Sequence, residues 1–149
     1  MGEFVNSKWV RDIADMHTKF GVNKVLRQMD RDKLEAFLKF RIDFLQEELD
    51  EMRKAVVDRQ ARKIDASTAA DDTVDALIDL CVVAIGTLNA FDVNADEAWN
   101  RVHRANMTKE VGIKESRPNP LGLPDLIKPE GWTAPTHADN VGMLNKVFE

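Results

Sequence analysis

Between residues 4 and 109 the apolar positions recur every three or four residues, the period that lines one face of an α-helix. No stretch shows the two-residue alternation of a strand, so the pattern predicts helices alone. A first helix over 4–20 is ended by Gly21, in the usual position of a left-handed stop. Residues 22–30 form a connector, and Asp30 or Asp32 can cap a long second helix to about residue 58. Its apolar stripe (Leu34, Leu38, Ile42, Leu45, Leu49, Met52, Val56) predicts a seam packed along its whole length. A second stripe, Phe37, Arg41, Phe44, Glu48 and Glu51, begins apolar and turns acidic.

A polar connector over 58–66 leads to a third helix, capped by Asp65 or Ser67 and running to about residue 92. Its expected core stripe is Val74, Leu77, Ile78, Cys81, Ile85 and Leu88, while Asp72, Asp75 and Asp79 continue onto Val82, Val83 and Gly86. Asn94 or Asp96 opens a fourth helix to about residue 109, with Trp99 and Val102 turned inward. All five prolines lie beyond residue 111, which predicts turns and extended chain there. The expected fold is therefore all-α: a four-helix bundle over 1–111 with an extended, Pro-rich C-terminal tail over 112–149. Leu121, Leu123, Leu126, Ile127 and Trp132 are too apolar to trail through water. The tail is expected to pack on the bundle or on a neighbouring subunit, which makes the protein an oligomer.

The acidic interruptions carry the chemistry. At about 100° per residue, Glu47, Glu48 and Glu51 share one side of the second helix, and Asp72, Asp75 and Asp79 share a narrower arc of the third. Taken alone, a run such as 47–51 reads as a solvated face paired with Arg53 or Lys54. Two features move the reading inward: Glu48 and Glu51 lie in register with Phe37 and Phe44, and the second arc sits on an otherwise apolar helix. Carboxylates brought that close stay ionised only with positive charge between them. An all-oxygen donor set selects a hard divalent cation. On the fourth helix Arg104, Asn106 and Lys109 are cationic or polar groups suited either to a helix C-terminus or to phosphate.

Composition narrows the field. The chain has 149 residues, a net charge of −5 and no dense basic tract, which argues against nucleic-acid coating. Lone Cys81 lies in apolar sequence and reads as an inert buried thiol. No basic-then-apolar leader opens the chain and the uncharged run over 80–91 is short for a bilayer, so the expectation is a cytoplasmic protein without membrane association. Phosphate-loop, GxGxxG and nucleophile-elbow motifs are absent, and His17, His103 and His137 lack zinc-ligand spacing.

EExxE at 47–51, Asp75 with Asp79, and Asn106-x-x-Lys109 together resemble the all-α NTP pyrophosphatase superfamily. Within it the nearest likeness is the MazG-like, phosphoribosyl-ATP-pyrophosphohydrolase-like branch found in bacteria and phages. Met16 to Val22, Phe40-Arg41-Ile42, Gly86-Thr87, Leu123-Pro124-Asp125 and Lys128 to Trp132 add to the resemblance. It implies hydrolysis of a (d)NTP to the monophosphate and pyrophosphate in a homodimer or homotetramer, located in the cytoplasm (the host's, for a phage protein). It also implies Mg²⁺ or Mn²⁺, two or more per site. Glu48, Glu51, Asp72, Asp75 and Asp79 would then be metal ligands, Glu47 the group that orients or deprotonates water, and Lys109, Asn106 and Arg104 the phosphate contacts. Glu48 and Lys109 join Glu47 in the catalytic set. The alternatives are phosphoribosyl-ATP hydrolysis and a non-catalytic nucleotide-binding module. Two departures stand out: Asp72-Thr73-Val74-Asp75 where the family motif reads ExxD, and a connector at 23–29 without the branch's proline-rich form.

Overall fold

A computed structural model describes residues 6–117, 121–122 and 125–149. The described residues contain six helices and one small sheet, so the chain is all-α in class. In order these are α1 (Lys8–Phe20), α2 (Val22–Leu26), α3 (Arg31–Gln60), α4 (Ala66–Ala90), α5 (Ala95–Met107), strands β1 (Glu110–Gly112) and β2 (Asp125–Ile127), and α6 (Leu144–Phe148).

The helix boundaries follow local chemistry. Ser7 caps α1, and Gly21 ends it at φ 70°, where its N–H reaches back to the carbonyls of His17 and Thr18. Asp30 Oδ1 accepts from the Lys33 N–H at 2.9 Å to open α3, and Asp65 Oδ1 accepts from the Thr68 N–H at 2.7 Å to open α4. The connector expected at 22–30 instead contains the single turn of α2.

The chain divides into two compact units, residues 1–95 with 141–149, and residues 96–140. In the first, α3 and α4 form a long antiparallel hairpin, with α1 packed on α4 and α6 on α3. Its core gathers at one end, around Leu26, Leu34, Ala90, Phe91, Val93 and Val147. The Met143 N–H donates to the Phe91 carbonyl at 2.7 Å, and Gly142, at φ 53°, passes so close to that carbonyl that a Cβ would lie 1.9 Å from it. The last residues of the expected irregular tail thus close the core as a helix.

The second unit holds α5 and the remaining tail. β1 and β2 pair antiparallel, Val111 opposite Leu126, which corrects the expectation of no strand. The pairing is only three residues long, too short to leave an alternating signature. Arg101 ties residues 136–139 to α5, donating to Glu97, to the Thr136 carbonyl and to both oxygens of Asp139. Trp99 is 71% exposed and Val102 is exposed too, against the expectation that both point inward.

The stripes of the hairpin also differ from expectation. On α3 the buried positions are Leu34, Glu48 and Ala55, with half-buried Arg41 on the same seven-residue spacing, whereas Ile42 and Val56 of the expected seam are exposed. On α4 the buried residues are Ala76, Val83, Gly86 and Ala90, while Val74, Leu77 and Ile78 face outward. Small side chains let the two backbones approach, so the half-acidic face becomes the contact face. α4 is long and apolar enough to cross a membrane by length and composition, which the 80–91 run alone did not suggest. Here its small-residue face packs on α3.

Candidate active site

Glu48 is the centre of the acidic site. It sits mid-way along α3, on the face turned to α4, and it is buried. Its Oε2 has no hydrogen-bond partner among the described residues. Burial raises its pKa above the ordinary carboxylate value, and the nearby charges of Asp79, Glu51, Asp75 and Glu47 raise it further. The hairpin therefore brings the 47–51 cluster of α3 against Asp75 and Asp79 of α4.

Asp72 stands apart from this group. The carboxylates that act most strongly on Glu48 are Asp79, Glu51, Asp75 and Glu47, whereas Asp72 acts on Lys54, which is paired with Asp58 one turn further along α3. Glu47, Glu51, Asp72 and Asp75 are all exposed, and Asp79 is half-buried. Among the described residues no three Asp, Glu, His or Cys side chains converge as a ready-made metal cage. Mutual repulsion gives exposed carboxylates reason to swing toward water.

A divalent cation nevertheless fits the residues present. Glu48 offers a buried anionic oxygen lacking a donor, and its neighbours supply hard oxygens only, the donor type preferred by Mg²⁺ and Mn²⁺.

A second set of polar groups, which hydrophobic periodicity did not single out, lies two turns from Glu48. Arg41 donates from Nε to Thr87 Oγ1 and from Nη2 to the Val83 carbonyl, both at 2.9 Å. Its guanidinium also sits 5.9 Å from the Phe37 ring centre and 5.7 Å from that of Phe44. Buried His17 places Nδ1 2.8 Å from Asn89 Oδ1, and burial, with Arg41 nearby, lowers its pKa despite that bond. The sequence signals for this group were Arg41, a basic residue in the otherwise apolar first half of the acidic stripe, and the stretches around His17, Arg41 and Gly86-Thr87 that add to the family resemblance.

The phosphate-contact candidates belong to the second unit. Arg104 and Asn106 are exposed on α5. Lys109 lies over the Trp132 ring at 5.3 Å, with Lys128 over the same ring at 5.1 Å. The Trp132 indole donates to the Ala105 carbonyl and to Thr108 Oγ1, so this tryptophan anchors the tail on α5. Arg104, Thr108 and Trp132 line an open groove of about 950 Å³ in this unit.

The family model for phosphoribosyl-ATP pyrophosphohydrolase matches residues 22–106, from α2 through nearly all of α5. The chain belongs to the phosphoribosyl-ATP pyrophosphohydrolase family. That family lies within the all-α MazG-like NTP pyrophosphatase superfamily, which bears out the resemblance read from the motifs. No curated protein shows significant similarity to the chain. A phosphoribosyl-ATP pyrophosphohydrolase family member is a hydrolase of acid anhydrides acting on nucleotide-like substrates. The matched segment contains every acidic residue of the α3–α4 site, whereas Lys109 and Trp132 lie beyond it.

Proposed function

We propose that the protein hydrolyses the α–β phosphoanhydride of a (d)NTP, releasing pyrophosphate and a monophosphate, with Mg²⁺ or Mn²⁺, two or more per site, as cofactor. The observation that carries this reading is Glu48, a buried carboxylate without a donor whose neighbours on both helices are acidic. Glu48, Glu51, Asp75 and Asp79 would hold the cation, with Asp72 added from the end of α4. Bound metal neutralises phosphate charge and acidifies water.

The chain's own groups do the rest. Glu47, next to Glu48 on α3 but exposed, is assigned to orient the attacking water and accept its proton. Lys109, Arg104 and Asn106 are assigned to the substrate's phosphates, where fixed positive charge stabilises the charge developing on the leaving pyrophosphate. The exposed apolar residues of the hairpin (Ile42, Val56, Val74, Leu77 and Ile78) are assigned to contact between subunits of a homodimer or homotetramer. The assembly would act in the cytoplasm, on a small nucleotide and without nucleic-acid or membrane partners.

Phosphoribosyl-ATP is the second substrate reading, and the family match favours it directly. The extra tail beyond that match, residues 107–149, argues mildly against it. Common (d)NTPs and phosphoribosyl-ATP, each incubated with Mg²⁺ and with Mn²⁺ and resolved by chromatography, test both. Monophosphate with intact pyrophosphate is expected. Accumulation of diphosphate with orthophosphate would refute cleavage between the α and β phosphates, and no turnover of any of them would favour a binding module.

A further inference from the structure

The proposed chemistry makes no use of the polar groups enclosed among α1, α3 and α4. Arg41 is the least expected of them: a half-buried guanidinium that forms no ion pair among the described residues, its bonds going to a carbonyl and a hydroxyl. Burial lowers its pKa, the sign of a cation held at a cost. Its seat depends on Gly86, where a Cβ would lie 2.6 Å from Arg41 Nη2.

The spacing shows what this contact controls. Arg41 and Glu48 are seven residues apart on α3, and Val83 and Ala76 are seven apart on α4. In an antiparallel hairpin, bonding Arg41 to Val83 sets Glu48 opposite Ala76, with Asp75 and Asp79 on either side. Those are the two aspartates whose charges act most strongly on Glu48. A slip of one helical turn, about 5.4 Å, would carry Asp75 away and bring apolar Val83 to the place of Asp79 in one sense, and carry Asp79 away in the other. Small side chains along the α4 face give little resistance to such sliding, and paired acidic faces repel.

We propose that Arg41 is a positioning residue: clamped over Gly86 onto Val83 and Thr87, it fixes the register at which the acidic faces of α3 and α4 meet, and so the divalent-cation affinity of the Glu48 site. The cation part of this inference rests on the carboxylate site proposed above; the register part does not. A polar group that specifies alignment where an apolar one would suffice for stability is a known use of buried charge.

The test compares Arg41→Ala and Gly86→Ala with the wild type, all in a Cys81→Ser background with nitroxides at positions 53 and 71. Gly86→Ala keeps the arginine, introduces a better helix former, displaces the guanidinium and crowds the His17 ring, whose Nε2 would lie 3.3 Å from the new Cβ. Both variants are expected to bind Mn²⁺ about tenfold more weakly or worse, the usual effect of losing an orienting group. Both should also broaden or shift the 53–71 distance distribution measured without metal. Thr87→Val, which removes one acceptor, should move both readouts the same way by less, and it carries the test should the other two fail to fold. A brace that served stability alone would lower Tm but leave Mn²⁺ affinity unchanged in the folded variants. That outcome, or an unchanged distance distribution, overturns the proposal. Failure of the wild type to bind Mn²⁺ would instead overturn the carboxylate site, and the distances alone would then decide the register role.

Discussion

Replacing Glu48 by glutamine should change thermal stability in opposite directions with and without metal. Glu48 carries a buried oxygen without a donor and lies in the field of four other carboxylates. An unpartnered buried group costs about 1–3 kcal/mol when neutral and more when charged, and the amide, itself unpartnered, removes only the excess due to the charge, which is of the same order. In chelator at neutral pH the variant is therefore expected to be more stable by about 1–3 kcal/mol. For a domain of this size each kcal/mol moves Tm by about 2–4 °C. The sign depends on pH. A carboxyl whose folded pKa is raised favours folding below its unfolded value and loses that contribution as pH rises through the folded value. The advantage of Glu48→Gln should thus disappear below the unfolded value of 4.5. Under the proposed function metal should reverse the order: a cation present at 100 times its Kd would stabilise the wild type by about 2.7 kcal/mol, and the variant would lack the proposed central ligand. Calorimetric melts of both proteins in EDTA and in MnCl₂, at neutral pH and near pH 4, give all four values. A variant no more stable than wild type in EDTA would refute the claim that Glu48 is held buried and uncompensated.

Activity should vanish in EDTA and return with Mg²⁺ or Mn²⁺, and a steady rate in chelator would remove the cation from the reaction. Glu51→Ala and Asp75→Ala should each lose turnover by about 10²-fold or more while far-UV circular dichroism stays helical; Asp72→Ala, the carboxylate whose charge acts on Lys54, should lose less. Deleting residues 141–149 exposes the pocket of buried Val147 and removes the Met143–Phe91 hydrogen bond, an expected loss on the order of 3 kcal/mol in urea unfolding. His17 has a lowered pKa, so the unfolded chain binds its proton first as pH falls below 6.5. Its contribution is complete above 6.5 and lost on acidification, so a His17→Gln protein that keeps the Asn89 bond should show a flatter stability profile across that window.

The helices and most of the site are legible in the order of residues alone. Asp30, Asp65 and Gly21 mark helix ends through bonds reaching no further than four residues, which is why their roles could be read without a fold. Glu48, Asp75 and Asp79 could be grouped as candidates because acids that recur on a helical period share one side of their helix, although only Glu48 is buried. Which stripe faces inward was settled by packing. Counting apolar residues favours Ile42, Val56 and Leu77, yet the hairpin closes on Ala55, Ala76, Val83 and Gly86, because close backbone approach depends on small side chains rather than on hydrophobicity. Packing also settled that Arg41 bonds across to α4 and that the charge of Asp72 acts on Lys54, since both depend on the register between two helices separated by a turn. The three-residue strand pair and the return of Val147 to the core follow from contacts across long stretches of chain, which leave no periodic trace in the residues that make them.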